Sequence, residues 1–321
     1  MKKLITLLFL ASCLIGMAQL KGDGITDNSV VFDSLIKKGG QIYLPYGRIM
    51  IKTGVQYKNV FIKDWTNPTD KSINAAPYQN AKFSAPFEII GHPLGTVIWL
   101  DNPDTTMAVL ALNAQGLQYD NWVIKISNVT LMGKGVGISS AYTKDLQLDN
   151  VRFKGLTDGI LFNNVYRAQC NNLFFENCKR AEYDIRSHNT EFRNIKVYDC
   201  NKGFEVRSNK IGIYGYTAIR CYTGLHVVGS VNTFDRIVLE TNKPTPQLVI
   251  GDTSGLSIDG NTFINLTISA PNMKAIRFEK TCGFLTIIGG QIQSTNFEII
   301  GKPVVDQRNL LGTLPKEILK Q

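Results

Sequence analysis

Four short segments, NVTL, NVRF, NLFF and NIKV, begin at Asn128, Asn150, Asn172 and Asn194, and in each the second and fourth positions are apolar. The apolar positions are Val129 and Leu131, Val151 and Phe153, Leu173 and Phe175, and Ile195 and Val197. A period of two predicts strands with one face buried, not helices. The asparagines stand 22 residues apart three times in succession, and internal repetition at that length predicts a solenoid. Looser copies follow in NTFDRIVL at 232–239 and NTFINLTI at 261–268. A second set of apolar runs lies between them: GILF at 159, FEV at 204, GLHV at 224, LVI at 248 and AIRF at 275. About three short strands per repeat are therefore expected.

A leucine-rich repeat would show a leucine consensus and a propeller blade would need about 40 residues. A 22-residue rung with turns of Gly, Asn and Asp fits neither. It fits an all-β fold, a single-stranded parallel β-helix, in which like strands stack about 4.8 Å apart and inward residues form one continuous core. The asparagines then share a corner, where their amides can bond along the stack. Cys178, Cys200 and Cys221 follow the same spacing and read as a column of small buried residues. No cationic neighbour in the sequence marks them as reactive thiolates.

Both ends of such a solenoid need covering. Ser29 to Lys37 predicts a short N-terminal capping helix, with Thr26 or Asp27 as N-cap and Gly39-Gly40 as the stop. The expected organisation is a signal peptide over 1–18, a cap and first rungs over 19–60, the β-helix over 61–310, and a tail over 311–321. Residues 64–83 read as an inserted loop carrying Trp65, a candidate for stacking on a sugar ring along with Trp99 and Trp122.

Composition narrows the setting. Charged residues make up 19% of the 321, without long charge blocks, which argues against disordered tails. The opening MKKLITLLFLASCLIGMAQ reads as a bacterial export signal, with a hydrophobic run too short to span a membrane. A secreted or periplasmic location follows, with lipid anchoring at Cys13 in LASC as the alternative reading. Loss of Lys2 and Lys3 lowers the formal charge from +9 to +7. A basic exported protein suits an acidic polysaccharide better than nucleic acid. No zinc spacing, phosphate loop or calcium-loop motif occurs.

The segment KGDGITDNSVVFDSLIKKGGQIYLPYGRIMI resembles the N-terminal region of the pectate-lyase-like superfamily. Gly22, Asp23, Gly24, Thr26 and Asp27 match its turn, and Gly39, Gly40, Ile42, Leu44, Pro45 and Gly47 match its first strand. The resemblance implies the right-handed β-helix, with sugar chains bound on the outer face of one sheet. It does not choose between lyase, glycoside hydrolase, epimerase, tailspike or adhesin. The polygalacturonase Asp-Asp and Gly-His-Gly, the alginate epimerase Asp-Pro-His and the pectate lyase Trp-x-Asp-His are all absent.

YDIRSHN at 183–189 returns as FEVRSNK at 204–210. Aligned by that similarity, Asp184, Glu205 and His226 form one outward column and Arg186 and Arg207 another. Ile185, Val206 and Val227 point inward between them. Later rungs add Arg277 and Glu279. One reading is a ladder of solvated ion pairs, worth roughly 0.2 to 1 kcal/mol each. The other is a saccharide groove. In a lyase, Arg186 or Arg207 would neutralise a uronate and His226 would take the proton beside it. In a hydrolase, Asp184 and Glu205 would be the carboxylate pair. A calcium site of the lyase type would also use Asp184 and Glu205.

Overall fold

The computed structural model describes residues 20–58, 86–113, 123–141, 143–241, 243–253, 258–294, 296–312 and 314–320. The expected export signal over 1–18, with Cys13, and the expected loop over 64–83, with Trp65, lie outside the described residues, as does Trp122. The chain winds as a right-handed parallel β-helix with two long walls, a 15-stranded and a 10-stranded sheet. The expected three strands per repeat are two halves of one bent strand in the longer sheet plus one strand in the shorter. Gln147–Lys154 runs unbroken through Asn150, whereas Gln169–Asn171 and Phe174–Glu176 fall on either side of Asn172.

The bend has a single cause. Asn128, Asn150, Asn172 and Asn194 all adopt left-handed backbone, with φ between 51° and 57°, and Gly215 takes the same place at 73°. Asparagine tolerates this region better than other residues with side chains, and glycine enters it freely. The amides then bond along the stack: Asn150 Nδ2 donates to Asn128 Oδ1 at 2.8 Å, and Asn194 Nδ2 to Asn172 Oδ1 at 3.3 Å. These partners are 22 positions apart, whereas Ser187 and Ser208 pair across 21 and Asn232 and Asn261 across 29. Two further corners carry left-handed residues of their own, at Asp145, Arg167 and Asn189, and at Asn177, Asp199 and Arg220. There Arg167 grips Asp145 and Arg220 grips Asp199 through paired hydrogen bonds.

Inward positions fill the lumen. Phe153 stacks on Phe175 and Phe234 on Phe263, each at 4.6 Å between ring centres. Cys178, Cys200 and Cys221 are buried free thiols, with Cys178 N–H donating to Cys200 Sγ at 3.4 Å. The cap helix spans Ser29–Lys38 and buries Phe32 and Ile36. Asn28 occupies the cap position without a side-chain bond into the helix, while Asp27 accepts from Ser29 N–H at 3.0 Å. Asp23 closes the preceding turn by accepting from Ile25 N–H and Thr26 N–H. These bonds hold its carboxyl down to about 2. Gly22 and Gly47 pack backbone against backbone, since a Cβ on either would sit within 2.3 Å of a carbonyl oxygen. That contact explains two of the motif glycines.

Candidate functional site

On the outer face of the shorter sheet, backbone register places Tyr183 opposite Glu205, Glu205 opposite His226, His226 opposite Val249 and Val249 opposite Arg277. Glu205, His226 and Arg277 therefore share the outward column, as the sequence suggested. Asp184 does not. It pairs with Val206 in the inward column and is fully buried, and Ile185 takes the outward position opposite Arg207.

The physical reason is a bulge. Asp158, Arg180 and Lys202 fix the start of each strand by stacking in register. Arg186 then adopts left-handed backbone, φ 58°, which absorbs one residue before His188 meets Asn209. Similarity between YDIRSHN and FEVRSNK holds beyond the bulge and is one position out before it. Arg186 itself is exposed on the bulge, away from the ion pairs of the strip.

Asp184 and Glu205 thus face opposite sides of one sheet and can share neither a cation nor a substrate bond. Among the described residues, no cluster of three His, Cys, Asp or Glu side chains is placed to hold a metal. In the lumen, Asp184 Oδ1 accepts from Ser208 Oγ at 2.8 Å, while its Oδ2 and both carboxyl oxygens of the neighbouring Glu182 have no partner. Burial pushes Asp184 up to about 6 and Glu182 well above the usual carboxylate range.

The outward strip is a chain of ion pairs. Arg180 Nε lies 2.7 Å from Asp158 and its Nη1 3.4 Å from Glu205, Lys202 Nζ is 3.5 Å from the same carboxylate, and Arg207 Nε is 2.8 Å from it. Arg207 also reaches Asp252 at 3.6 Å. Glu205 is only 4% exposed. Burial raises its pKa, but the Arg207 hydrogen bond and the Lys202 charge outweigh that and hold it below its ordinary value. It is a carboxylate at neutral pH. The Arg180 guanidinium sits 3.9 Å from the Tyr183 ring centre. Further along, Arg277 Nε lies 2.7 Å from Glu279 in an ion pair outside hydrogen-bond alignment.

Among the described residues, His226 is the histidine of the strip. Its Nε2 lies 2.8 Å from the carbonyl oxygen of Gly251. A carbonyl only accepts, so Nε2 carries the proton and Nδ1 keeps its lone pair. Burial lowers its pKa, against the opposing pull of the Gly251 bond and Glu205, so the ring is neutral at pH 7.

Sequence reasoning missed Asp158, Arg180, Lys202, Tyr183 and Asp252. The first three carried a readable signal, because each stands at the same offset from a corner asparagine as the others do. Asp252 carried none, since the rung that brings it to Arg207 is irregular in length.

Residues 18–205 match the family described as rhamnogalacturonase A/epimerase, pectate lyase-like. The chain belongs to this family. No curated protein matches it. Among solved structures, this pectate-lyase-like chain is similar to ORF18 of Geobacillus virus E2, at 13% identity and a TM-score of 0.61. The likeness covers 92% of this chain, which spans 60% of the viral one. It is also similar to PfbA, a surface adhesin of Streptococcus pneumoniae, at 12% identity, TM-score 0.51, covering 91% of this chain and 89% of that one. The A-module of the Azotobacter vinelandii mannuronan C-5 epimerase AlgE4 matches at 13% identity, TM-score 0.49, covering 94% and 97%. At such identities these likenesses concern the fold alone.

Proposed function

We propose that this pectate-lyase-like protein is exported and acts on a uronate-containing polysaccharide lying along the outer face of the shorter sheet. His226 Nδ1 takes the proton from the carbon beside the uronate carboxylate, and Arg207 with Lys202 stabilises the negative charge that develops there. Expulsion of the neighbouring glycosidic oxygen, which takes a proton from water and leaves as a hydroxyl, then gives an unsaturated sugar. Delivery of a proton from water to the opposite face gives the epimer instead. The observation that carries this reading is the neutral His226, fixed by Gly251, on the same strip as those cations. Hydrolysis fits less well. A glycosidase needs a protonated carboxyl, yet Glu205 is ionised, and the acids with raised pKa, Glu182 and Asp184, face the lumen.

The test is incubation in D2O with polygalacturonate and alginate, with and without calcium, following unsaturated product by ultraviolet absorbance and deuterium at the uronate ring by NMR. His226→Gln should lower either signal by at least about a hundredfold while leaving the melting temperature within experimental error. Activity unchanged in His226→Gln would end the assignment.

A second reading is a non-catalytic sugar-binding face. It is favoured by the fact that Arg180, Lys202 and Arg207 all have carboxylate partners already. Binding without product or exchange would select it.

A further inference from the structure

The other wall of the solenoid carries a different chemistry. In the second half of each longer-sheet strand, two outward positions stack from rung to rung. One column runs Arg48, Val97, Thr130, Arg152, Phe174, Lys196, and its neighbour runs Trp99, Met132, Lys154, Glu176, Tyr198. Over these rungs four cations meet one carboxylate, Glu176, which pairs with Lys154 at 3.1 Å, and the column reaches its next acid, Glu240, two rungs beyond Tyr198. Arg48, Arg152 and Lys196 are exposed and have no carboxylate partner among the described residues. The strip of ion pairs around Glu205 is the opposite case, because there every cation has an acid.

Aromatic rings lie among these cations. Arg48 sits over Trp99 at 5.2 Å and Arg152 over Phe174 at 5.3 Å, and Phe174 stacks on Tyr198 at 5.3 Å between centres. With Val97 and Met132 they make a half-buried apolar floor on a face that stability alone would leave polar. At the upstream margin a cleft of about 450 Å³ is lined by His92, Thr130, Asn128, Asn150 and Arg152. His92 Nδ1 accepts from Leu94 N–H, which leaves Nε2 to carry the proton, and Tyr46 stands edge-on to the ring at 5.9 Å.

We infer that this wall is a second polysaccharide-binding surface, separate from the His226 strip and selective for acidic chains. A polymer laid across the strands meets a new pair of side chains about every 4.8 Å. The aromatic and aliphatic floor accepts the C–H faces of sugar rings, the unpaired cations accept carboxylate or sulfate groups, and the corner amides accept hydroxyls. Charge complementarity selects an anionic polysaccharide over a neutral one. The surface would hold the protein on a polymer while the His226 strip works elsewhere on it.

The probes are polygalacturonate, heparin, neutral dextran and duplex DNA, with binding to the full chain measured at about 50 and about 200 mM salt. Wild type should bind at least one acidic polysaccharide, more weakly at the higher salt, and should not bind dextran. Arg48→Ala with Arg152→Ala and Lys196→Ala should weaken that binding about tenfold or more and flatten its salt dependence. Phe174→Ala with Tyr198→Ala should weaken it at both salts alike. Lys196→Glu alone, a single exposed change, should reproduce the direction if the triple variant misfolds. Unchanged affinity in these variants, or no binding to either acidic polysaccharide, would overturn the inference, as would tighter binding of DNA than of both polysaccharides. His226→Gln should leave this binding intact, so loss of activity there and loss of binding here are read separately.

Discussion

Asp184 and Glu182 put two carboxyl groups into a lumen otherwise lined by Phe162, Phe204, Val206 and Ile160. Ser208 satisfies one oxygen, and three have no partner. Both folded-state pKa values lie above the unfolded ones, so between them the native state holds more protons than the unfolded chain. Stability contributed by the neutral acids is therefore greatest at low pH and is lost as pH rises through the folded values. For Asp184, a shift from 3.8 to about 6 corresponds to about 3 kcal/mol lost above that pH. The protein should melt higher at about pH 5 than at about pH 8. Glu182→Gln with Asp184→Asn should flatten that profile, since the amide oxygen introduced at position 184 can still accept from Ser208. A profile equally steep in the double variant would mean the dependence arises elsewhere.

At the scale of one element, the left-handed corner asparagines set the path of each rung. Asn150 has φ 51° and joins Asn128 through its amide. Asn150→Gly keeps the backbone freedom and loses the bond, for about 1 kcal/mol. Asn150→Val loses the bond and also forces a β-branched residue into the left-handed region, for a further cost of about 1 to 2 kcal/mol. Chemical denaturation should rank wild type above Gly and Gly above Val. Equal midpoints for the two variants would show that the corner is not held by its backbone conformation. The Asn column was legible in the sequence because the corner demands a residue type and the rungs repeat it. The bulge at Arg186 was not, because an arginine in left-handed backbone leaves no mark on the hydrophobic pattern.

Across the whole molecule, the two ends decide whether the solenoid stays separate from its copies. Phe32 and Ile36 close the upstream end. Downstream, Leu314 and Ile318 are buried, and Leu319 bridges Val305 of the last strand, Val304–Arg308. Removing residues 311–321 would bare that edge and its core, so the shortened protein should associate with rising concentration by light scattering while full-length protein stays the same size. A shortened protein of constant size would show the tail is not a cap. Local chemistry set out in the chain determined the solenoid: alternation fixed the strands, the asparagine interval fixed the corners, and the Gly-Asp-Gly turn fixed the cap. Only the tertiary structure decided which carboxylates face out. Side chains alternate with period two, so a one-residue bulge at Arg186 sends Asp184 into the lumen and leaves Glu205 outside with Arg180, Lys202 and Arg207. Register between rungs is set by hydrogen bonds to neighbouring turns, and those contacts exist only once the helix has wound.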